Sequence, residues 1–335
     1  GGSTSTADAL SALENSQLPP GARDYWAFQL PQRAVIPVSA AYDHPVDRFL
    51  EAARREAGVM AGPKADPLTR LRRAYLDLTG LPPTSEQIDE FLADTERGAW
   101  ERLIETLLAS PHYGERWGRH WMDVARYADS TGFEQDYVRP NAWRYRDWVI
   151  AAFNADQPFD QFIIEQLAGD MLPNATQAQR IATGFHRNTQ TNTEGGVDKE
   201  QFRVDSIFDR VATTGVVIFG LTFGCAQCHD HKFDPFKQVE FYRMFAFFNQ
   251  VDEPRVETPT VAESKARATH DAKLKALQAK LNDAEKGTDA LKNLTGELAL
   301  LKKKVFTYST AEIPNLLFAI EQKSRWSISP FCIER

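Results

Sequence analysis

The sequence of 335 residues is long enough to bury a substantial core, and its 42% hydrophobic and 25% charged residues are typical of a globular protein. Its net charge of −7 provides no basic surface, so we expect no nucleic-acid partner. The most apolar stretch, VATTGVVIFGLTFG at 211–224, is too short and too rich in Thr and Gly to span a membrane, so no transmembrane segment is predicted.

The N-terminal part of the chain reads as an extended arm. Residues 1–40 are rich in Ser, Ala and Pro, and their apolar patch is DYWAFQLP at 24–31. We expect the aromatic side chains of this patch, Tyr25, Trp26 and Phe28, to dock on the rest of the protein.

Residues 41–255 show the periodicity of helices, and we predict one helical domain there. Asp66, followed by a proline, indicates a helix start, and Gly80 indicates its end. Thr84 and Gln87 form the pattern of a capping box. Few segments alternate with period two, so the predicted fold class is mainly α. Further helices are predicted at 98–109, 115–128, 141–155, 159–168 and 198–221.

The C-terminal part has a different pattern. Leucines recur every three or four residues on both sides of Gly287, so residues 256–305 are predicted to form an antiparallel helical hairpin of coiled-coil type. Residues 306–335 contain no recognisable stop. We expect them to begin a further segment or to form a C-terminal tail.

Reactive side chains cluster in CAQCHDHK at 225–232, which holds two of the three cysteines and two histidines. Cys225-x-x-Cys228-His229 is the attachment motif of a c-type haem. Two thiols on one tight turn can each bond a vinyl group on the same porphyrin edge, and the adjoining imidazole reaches the iron as the proximal ligand. The motif therefore predicts one covalent haem c.

Three other sites remain open at this motif. A zinc site could use both cysteines with His229 and His231, although four ligands within seven residues are closer together than in structural zinc sites. A thioredoxin-like dithiol needs a strand before the CxxC pair, and none is predicted. A structural disulfide between Cys225 and Cys228 is the third.

The other face of the haem needs a sixth ligand or a distal polar group. His120 is the first candidate, because it lies at helical spacing with Trp117 and Trp121 and is predicted to point into their apolar stripe; a hydrogen-bonded core residue is the alternative. Trp121 is predicted to contact the cofactor. Met244, in an aromatic helix, is the second candidate ligand, and packing against the porphyrin or the core is its alternative. An open coordination site is the remaining arrangement.

His231 lies two residues beyond His229 and cannot reach the opposite haem face, because two chain steps span roughly 7 Å. Two roles remain for it. It hydrogen-bonds near the haem edge or contacts a substrate, or it belongs to a turn in which Asp234 and Pro235 start a helix.

Charged residues outside the motif suggest two further contacts. Arg144, in NAWRYRDW at 141–148, is a candidate donor to a haem propionate, and a network of surface ion pairs is the alternative for this segment. In the loop at 188–198, Glu194 and Asp198 are candidate ligands of an additional cation such as calcium, although their spacing is not that of an EF-hand.

The sequence resembles the planctomycete-type cytochrome c domain family, exported bacterial proteins of unknown function, over about residues 24–250. The resemblance implies a covalent haem at Cys225, Cys228 and His229, and a periplasmic or secreted location. GGSTSTADAL at the start is no signal peptide, so we expect that one has been removed. The motifs that carry the resemblance are DLTGLPPT (77–84), HYGERWGRHWMDVARYADS (112–130), RPNAWRYRDWVI (139–150), QLAGD (166–170), GGVDKEQFRVD (195–205) and FGCAQCHDHKFDP (223–235).

The resemblance also implies which domains follow this one and which proteins occur beside the family. In such proteins a helical segment and a second domain of unknown function usually follow, which matches the predicted hairpin. The family often occurs beside sulfatases and polysaccharide-degrading enzymes, which implies extracellular carbohydrate metabolism.

Three functions follow from these observations. The first is a monohaem cytochrome domain that exchanges single electrons with a redox partner protein or a downstream domain. The second is a haem-dependent oxidoreductase or peroxidase-like enzyme acting on a carbohydrate, with His120, Asp123, Arg126 and His231 as acid–base candidates. The third is a structural haem module whose hairpin docks a partner.

Overall fold

The computed structural model describes residues 18, 20–133, 135–192, 194–251, 253, 255–283, 289–303 and 310–312. The described chain is mainly helical, which confirms the predicted fold class. None of its helices has the length and apolarity needed to cross a bilayer. The α-helices are α1 (Pro45–Glu56), α2 (Pro67–Leu78), α3 (Ser85–Ala93), α4 (Ala99–Leu108), α5 (Pro111–Val124), α6 (Trp143–Asn154), α7 (Phe159–Ala168), α8 (Gln177–Ala182), α9 (Lys199–Thr214), α10 (Gln238–Phe248), α11 (Val261–Asp283) and α12 (Asp289–Lys302).

Shorter elements connect these helices. Strands β1 (Arg255–Glu257) and β2 (Thr310–Glu312) pair antiparallel and place Val256 opposite Ala311. A π-helical turn at Gly215–Phe219 extends α9. Single 3-10 turns lie at Trp26–Phe28, Gly169–Met171, Thr183–Asn188 and Phe223–Gln227.

The predicted helix caps are present. The Asp66 carboxylate accepts a hydrogen bond from the backbone N–H of Thr69 at 2.9 Å, at the start of α2. Thr84 and Gln87 form the reciprocal capping box of α3, with side-chain to backbone bonds of 2.9 and 3.3 Å. Gly80 follows α2 with φ of +72°, a backbone conformation that residues other than glycine rarely adopt. Local sequence signals therefore fix where these helices begin and end.

The N-terminal arm differs from its prediction. Phe28 is half-buried, whereas Tyr25 and Trp26 are 58% and 75% exposed, so the predicted docking is wrong for Tyr25 and Trp26. Their rings contact each other instead, with centroids 5.7 Å apart. Residues 1–17 and 19 of the predicted arm lie outside the described residues.

The chain forms two compact units, each discontinuous in sequence. The first comprises residues 1–117 and 225–240, and the second comprises residues 118–224 and 241–335. The predicted division at residues 40, 255 and 305 stays a prediction. The core of the first unit contains Leu71, Ala74, Tyr75 and Leu107, and that of the second contains Ala125, Tyr145, Trp148, Val149, Ala152, Phe162, Ala182 and Phe185.

Helices α11 and α12 occupy the region predicted as a hairpin. The imidazole Nε2 of His270 lies 3.1 Å from the carbonyl oxygen of Leu301, and Leu298 is buried. Residues 284–288 lie outside the described residues, as do 306–309 and 313–335 of the predicted tail. The coiled-coil hairpin geometry stays a prediction.

Candidate functional site

The CxxCH segment lies on a short 3-10 turn, Phe223–Gln227, that is followed by bends. Cys225 and Cys228 are free and exposed, and His229 is exposed. Between the thiols, Ala226 is fully buried. The buried Ala226 therefore packs the turn against the protein, and both thiols and the imidazole of His229 face solvent.

Two hydrogen bonds attach this turn to the first residue of α10. The side-chain amide of Gln238 donates to the carbonyl oxygen of Gln227 at 2.9 Å. The backbone N–H of Gln238 donates to Oδ1 of Asp230 at 2.9 Å. Because residues on both sides of Cys228 are bonded to the same helix start, the backbone around Cys228 has a defined shape.

His229 has one ring nitrogen engaged by its own chain. Its Nδ1 lies 2.7 Å from the carbonyl oxygen of Asp230. A carbonyl oxygen only accepts, so Nδ1 must carry the proton. In the neutral imidazole the lone pair is then on Nε2, which is the state of a metal-binding histidine whose other nitrogen is oriented by a hydrogen bond.

His231 organises the loop after the motif. Its Nδ1 accepts hydrogen bonds from the backbone N–H groups of Asp234 at 2.8 Å and Phe233 at 3.3 Å. Its side chain is 5% exposed and stacks on Phe236, with ring centroids 4.6 Å apart. Oδ2 of Asp234 also lies 3.3 Å from the same nitrogen. Since two N–H groups point at Nδ1, we assign it as an unprotonated acceptor and not as half of an ion pair.

The loop corrects one detail of the prediction. Residues 232–235 form bends, and α10 begins only at Gln238. Asp234 and Pro235 therefore do not start a helix. His231 belongs to the turn, and its role toward a cofactor edge or substrate stays a prediction.

The alternative sites at the motif gain little from this geometry. In the part of the chain that the structure describes, no three His, Cys, Asp or Glu side chains form a group able to hold a metal ion. A zinc site that included His231 would have to break its bonds within the loop. The described strands, at 255–257 and 310–312, lie after the CxxC pair, whereas a thioredoxin-like dithiol follows a strand. Cys225 and Cys228 form no disulfide.

His120 is exposed, so the prediction that it points into an apolar stripe is wrong. The buried residue of this part of α5 is Gly118. A Cβ there would lie 3.3 Å from Cγ1 of Ile150 and 3.5 Å from Cγ1 of Val149. Helix α6 packs against the glycine, so the inward face of α5 differs from the face that the large apolar residues indicate. The distal-ligand role of His120 stays a prediction.

Trp121 lies in the core of the second unit. Its indole N–H donates to Oε1 of the fully buried Gln166 at 2.8 Å and to the hydroxyl of Tyr145 at 3.1 Å. Its ring meets Phe162 edge to face, with centroids 4.8 Å apart. These contacts give Trp121 a packing role within its unit, and its predicted contact with a cofactor stays a prediction.

Arg126 has a left-handed backbone, with φ of +59°. Its guanidinium pairs with the carboxylate of Asp209. Asp123, another acid–base candidate, is exposed, and its backbone carbonyl accepts a hydrogen bond from the backbone N–H of Arg126. The ion pair holds a conformation that few residues other than glycine adopt, so Arg126 has a structural task, and its catalytic role stays a prediction.

Arg144 is buried, so it does not belong to a network of surface ion pairs, the alternative predicted for its segment. Its guanidinium lies over the ring of Trp143, 4.6 Å from the centroid, and lines a small cavity. Burial lowers the pKa of Arg144 from its ordinary value.

Met244, in α10, is half-buried, and its role as an axial ligand stays a prediction.

The predicted cation ligands do not form one site in the described chain. The carboxylate of Asp198 caps α9 by accepting from the backbone N–H groups of Glu200 and Gln201 at 3.0 and 3.1 Å. Glu194 lines a separate cleft with Glu253. Among the described residues, no three His, Cys, Asp or Glu side chains form a group able to hold a metal ion, and the additional cation stays a prediction.

His186, in the 3-10 turn Thr183–Asn188, belongs to none of the candidate sites predicted from the sequence. It is 2% exposed and packs against Phe185 and Phe248, with ring centroids 5.1 and 4.8 Å away. Neither ring nitrogen has a hydrogen-bond partner among the described residues. Desolvation, with the nearby charges of Arg210 and Arg126, lowers the pKa of His186 to about 3. The apolar run IATGF before it was the available signal.

The candidates divide between the two units. Cys225, Cys228, His229 and His231 belong to the first, and His120, Trp121, Asp123, Arg126, Arg144 and Met244 belong to the second.

Comparison with known proteins gives a family and no activity. No curated protein and no solved structure matches the chain. A family model, PSCyt2, matches residues 45–253, and its description is "Protein of unknown function (DUF1549)". The match spans both units and includes the CxxCH turn. Because it covers more than half of the sequence, the chain belongs to the PSCyt2 family.

Proposed function

We propose that the chain is an exported c-type cytochrome domain that carries one covalent haem and passes single electrons to or from a redox partner protein or a downstream domain. The observation that carries the proposal is the hydrogen bond between His229 Nδ1 and the carbonyl of Asp230, beside two exposed free thiols. When bound, haem c supplies a one-electron iron couple. Export follows from the family resemblance, since such haems are attached outside the cytoplasm.

The donor set of the turn fits this cofactor. Cys225 and Cys228 are both accessible for attachment. Each thiol would add its S–H across one vinyl C=C, which forms a C–S bond and a C–H bond and consumes no oxidant. His229 would hold the iron through Nε2, the nitrogen that its bond to Asp230 leaves with the lone pair.

Residues behind the turn set the properties of that ligand. The carbonyl of Asp230 accepts from Nδ1–H, which fixes the tautomer and makes Nε2 a stronger donor. Gln238 bonds the residues on both sides of Cys228 to α10. The chain thus orients the imidazole before any cofactor arrives, which reduces the ordering that attachment requires.

The test is maturation of the full chain in cells that carry the c-type assembly machinery. We expect covalent haem with the pyridine haemochrome of two thioether links. Cys225→Ala and Cys228→Ala should each lose one link, and Cys332→Ala is the matched control that keeps both. Wild-type protein without covalent haem would overturn the proposal and leave zinc or dithiol chemistry at the motif.

Spectra then separate electron transfer from the other haem functions. A six-coordinate, low-spin iron with a reversible potential supports electron transfer. A five-coordinate, high-spin iron that reacts with peroxide contradicts it and supports an enzyme, for which the family resemblance suggests a carbohydrate substrate. A haem whose removal unfolds the chain but which exchanges no electrons supports a structural module.

A further inference from the structure

A small cavity lies at the start of α6 in the second unit. Its volume is about 50 Å³, where one water needs roughly 10–15 Å³, so it has room for a few waters or one small oxyanion. Five of its lining residues carry strong hydrogen-bond donors: Arg139, Asn141, Arg144, Arg187 and Asn188. The cavity is therefore lined for a ligand that accepts hydrogen bonds.

Arg144 supplies the main donor of this cavity. The residue is 6% exposed, and neither Nε nor Nη2 has a hydrogen-bond partner among the described residues. These two nitrogens form the side edge of the guanidinium, whose parallel N–H groups match the two oxygens of a carboxylate, sulfate or phosphate. The ring of Trp143 contacts the guanidinium face but offers no acceptor to either N–H.

Asn188 adds a third donor. Its Nδ2 is buried and also has no hydrogen-bond partner among the described residues. Arg139 fixes the shape of this wall, because it donates to the carbonyl oxygens of Arg187 at 2.7 Å and Thr189 at 2.6 Å. Asn188 thus lies in a segment held by the hydrogen bonds of Arg139, and Arg144 lies in the first turn of α6.

Three of the residues that line the cavity, Arg139, Arg144 and Arg187, carry positive charges. Glu253 pairs with Arg187 and with Arg210. The charges of Glu263 and Asp147 act on Arg144, but neither carboxylate is a hydrogen-bond partner of its Nε or Nη2. The partial positive charge at the start of α6 adds to the cationic lining.

We infer that this cavity binds the oxyanion group of a ligand, held at two oxygens by the Arg144 side edge and by Asn188. Two buried guanidinium nitrogens without a hydrogen-bond partner cost free energy that such a ligand recovers. The inference does not depend on the haem proposal, because every residue that carries it lies in the second unit.

The experiment titrates the full chain with sodium sulfate, phosphate or acetate against sodium chloride at equal ionic strength, and follows the thermal midpoint. A bound anion raises the midpoint along a saturating curve, whereas general salt stabilisation keeps rising. We expect saturation for at least one of the three anions. Absence of saturation with all three overturns the inference.

Variants test the assigned residues. Arg144→Gln should abolish the saturating response, and Arg144→Lys, which keeps the charge without the two-pronged edge, should weaken it about tenfold or more. Asn188→Asp should also remove it. Arg146→Gln is the matched control, an exposed arginine on the same helix, and should respond as wild type. A wild-type response from both Arg144 variants overturns the inference.

A second readout distinguishes a ligand site from a structural arginine. Without added oxyanion, Arg144→Met should be at least as stable as wild type, because it removes an unpaired buried charge. A large loss of stability would mean that the guanidinium is already satisfied, and would overturn the inference. Repeating the titration on haem-loaded protein and on the Cys225→Ala, Cys228→Ala chain identifies the source. Binding in both indicates a free ligand, and binding only without haem indicates the cofactor's own carboxylate.

Discussion

Nδ1 of His229 lies 2.7 Å from the carbonyl oxygen of Asp230, so the chain itself selects which nitrogen of this imidazole remains available. A backbone carbonyl cannot be removed by substitution, and the imidazole can. We expect His229→Ala to keep thioether-bound haem but to lose the proximal ligand, with a change of spin state and potential in the absorption spectrum. His112→Ala, an exposed histidine paired with Glu115 at 2.8 Å, is the control. Identical spectra in His229→Ala and wild type would contradict the ligand assignment.

The loop after the motif should depend on His231. His231→Ala leaves the backbone N–H groups of Phe233 and Asp234 without their acceptor, so we expect a loss of about 1–2 kcal/mol in the free energy of unfolding, measured by urea on the haem-free chain. His231→Asn should recover part of it, because an Asn side chain accepts from N–H groups two residues on. His229→Ala on the same haem-free chain is the exposed control, expected within about 0.5 kcal/mol of wild type. Equal losses for the alanine and asparagine variants would argue against the acceptor role.

His186 should make stability depend on pH. Its pKa is lowered to about 3 in the folded chain from an ordinary 6.5, so between these values the unfolded chain binds the extra proton. Stability is therefore fully present above about pH 6.5 and falls as the pH drops toward 3, by at most about 1.4 kcal/mol per pH unit.

The matched variant is His186→Leu. It removes the titrating group and two unpartnered nitrogens, so we expect a flatter stability profile between pH 6.5 and 3 and little change at pH 7. Urea midpoints across that range measure it. His120→Leu, an exposed histidine, should keep the wild-type slope, and an unchanged slope in His186→Leu would count against the burial effect.

Gln166 connects the aromatic core of the second unit. Its Oε1 accepts from Trp121 at 2.8 Å and from the hydroxyl of Tyr145 at 2.7 Å, and its amide donates to the carbonyl of Phe162 at 3.0 Å. Gln166→Leu leaves these donors without that acceptor, so we expect a loss of about 1–3 kcal/mol in the free energy of unfolding. The exposed Gln177→Leu should cost far less, and equal effects would show that the network contributes little.

Helix ends and fold class could be predicted from sequence because their signals are local. Asp66 and the Thr84–Gln87 pair cap helices through bonds to residues three positions away, which a short window of sequence contains. The CxxCH motif is local for the same reason. Its spacing predicts thiols and an imidazole close together, but not the hydrogen bond from His229 to Asp230 or those made by Gln238.

Burial was predicted less well because it depends on distant neighbours. The apolar stripe of α5 indicated that His120 points inward, but Gly118 lets α6 approach and turns a different face to the core. His186 follows a short apolar run and is buried by aromatic residues far along the chain, such as Phe248. Unpartnered donors such as Nε of Arg144 have no signature in sequence at all.

The division of the chain has a consequence for biosynthesis. Residues 225–240 complete a compact unit whose other members precede residue 118, and all of residues 118–224 are made in between. The first unit therefore stays incomplete while the ribosome produces about half of the second. Its closing segment is the one that carries both thiols, so the sulfur atoms emerge only after nearly all their future neighbours in that unit have been synthesised, which leaves them little time as an unfolded, oxidisable stretch.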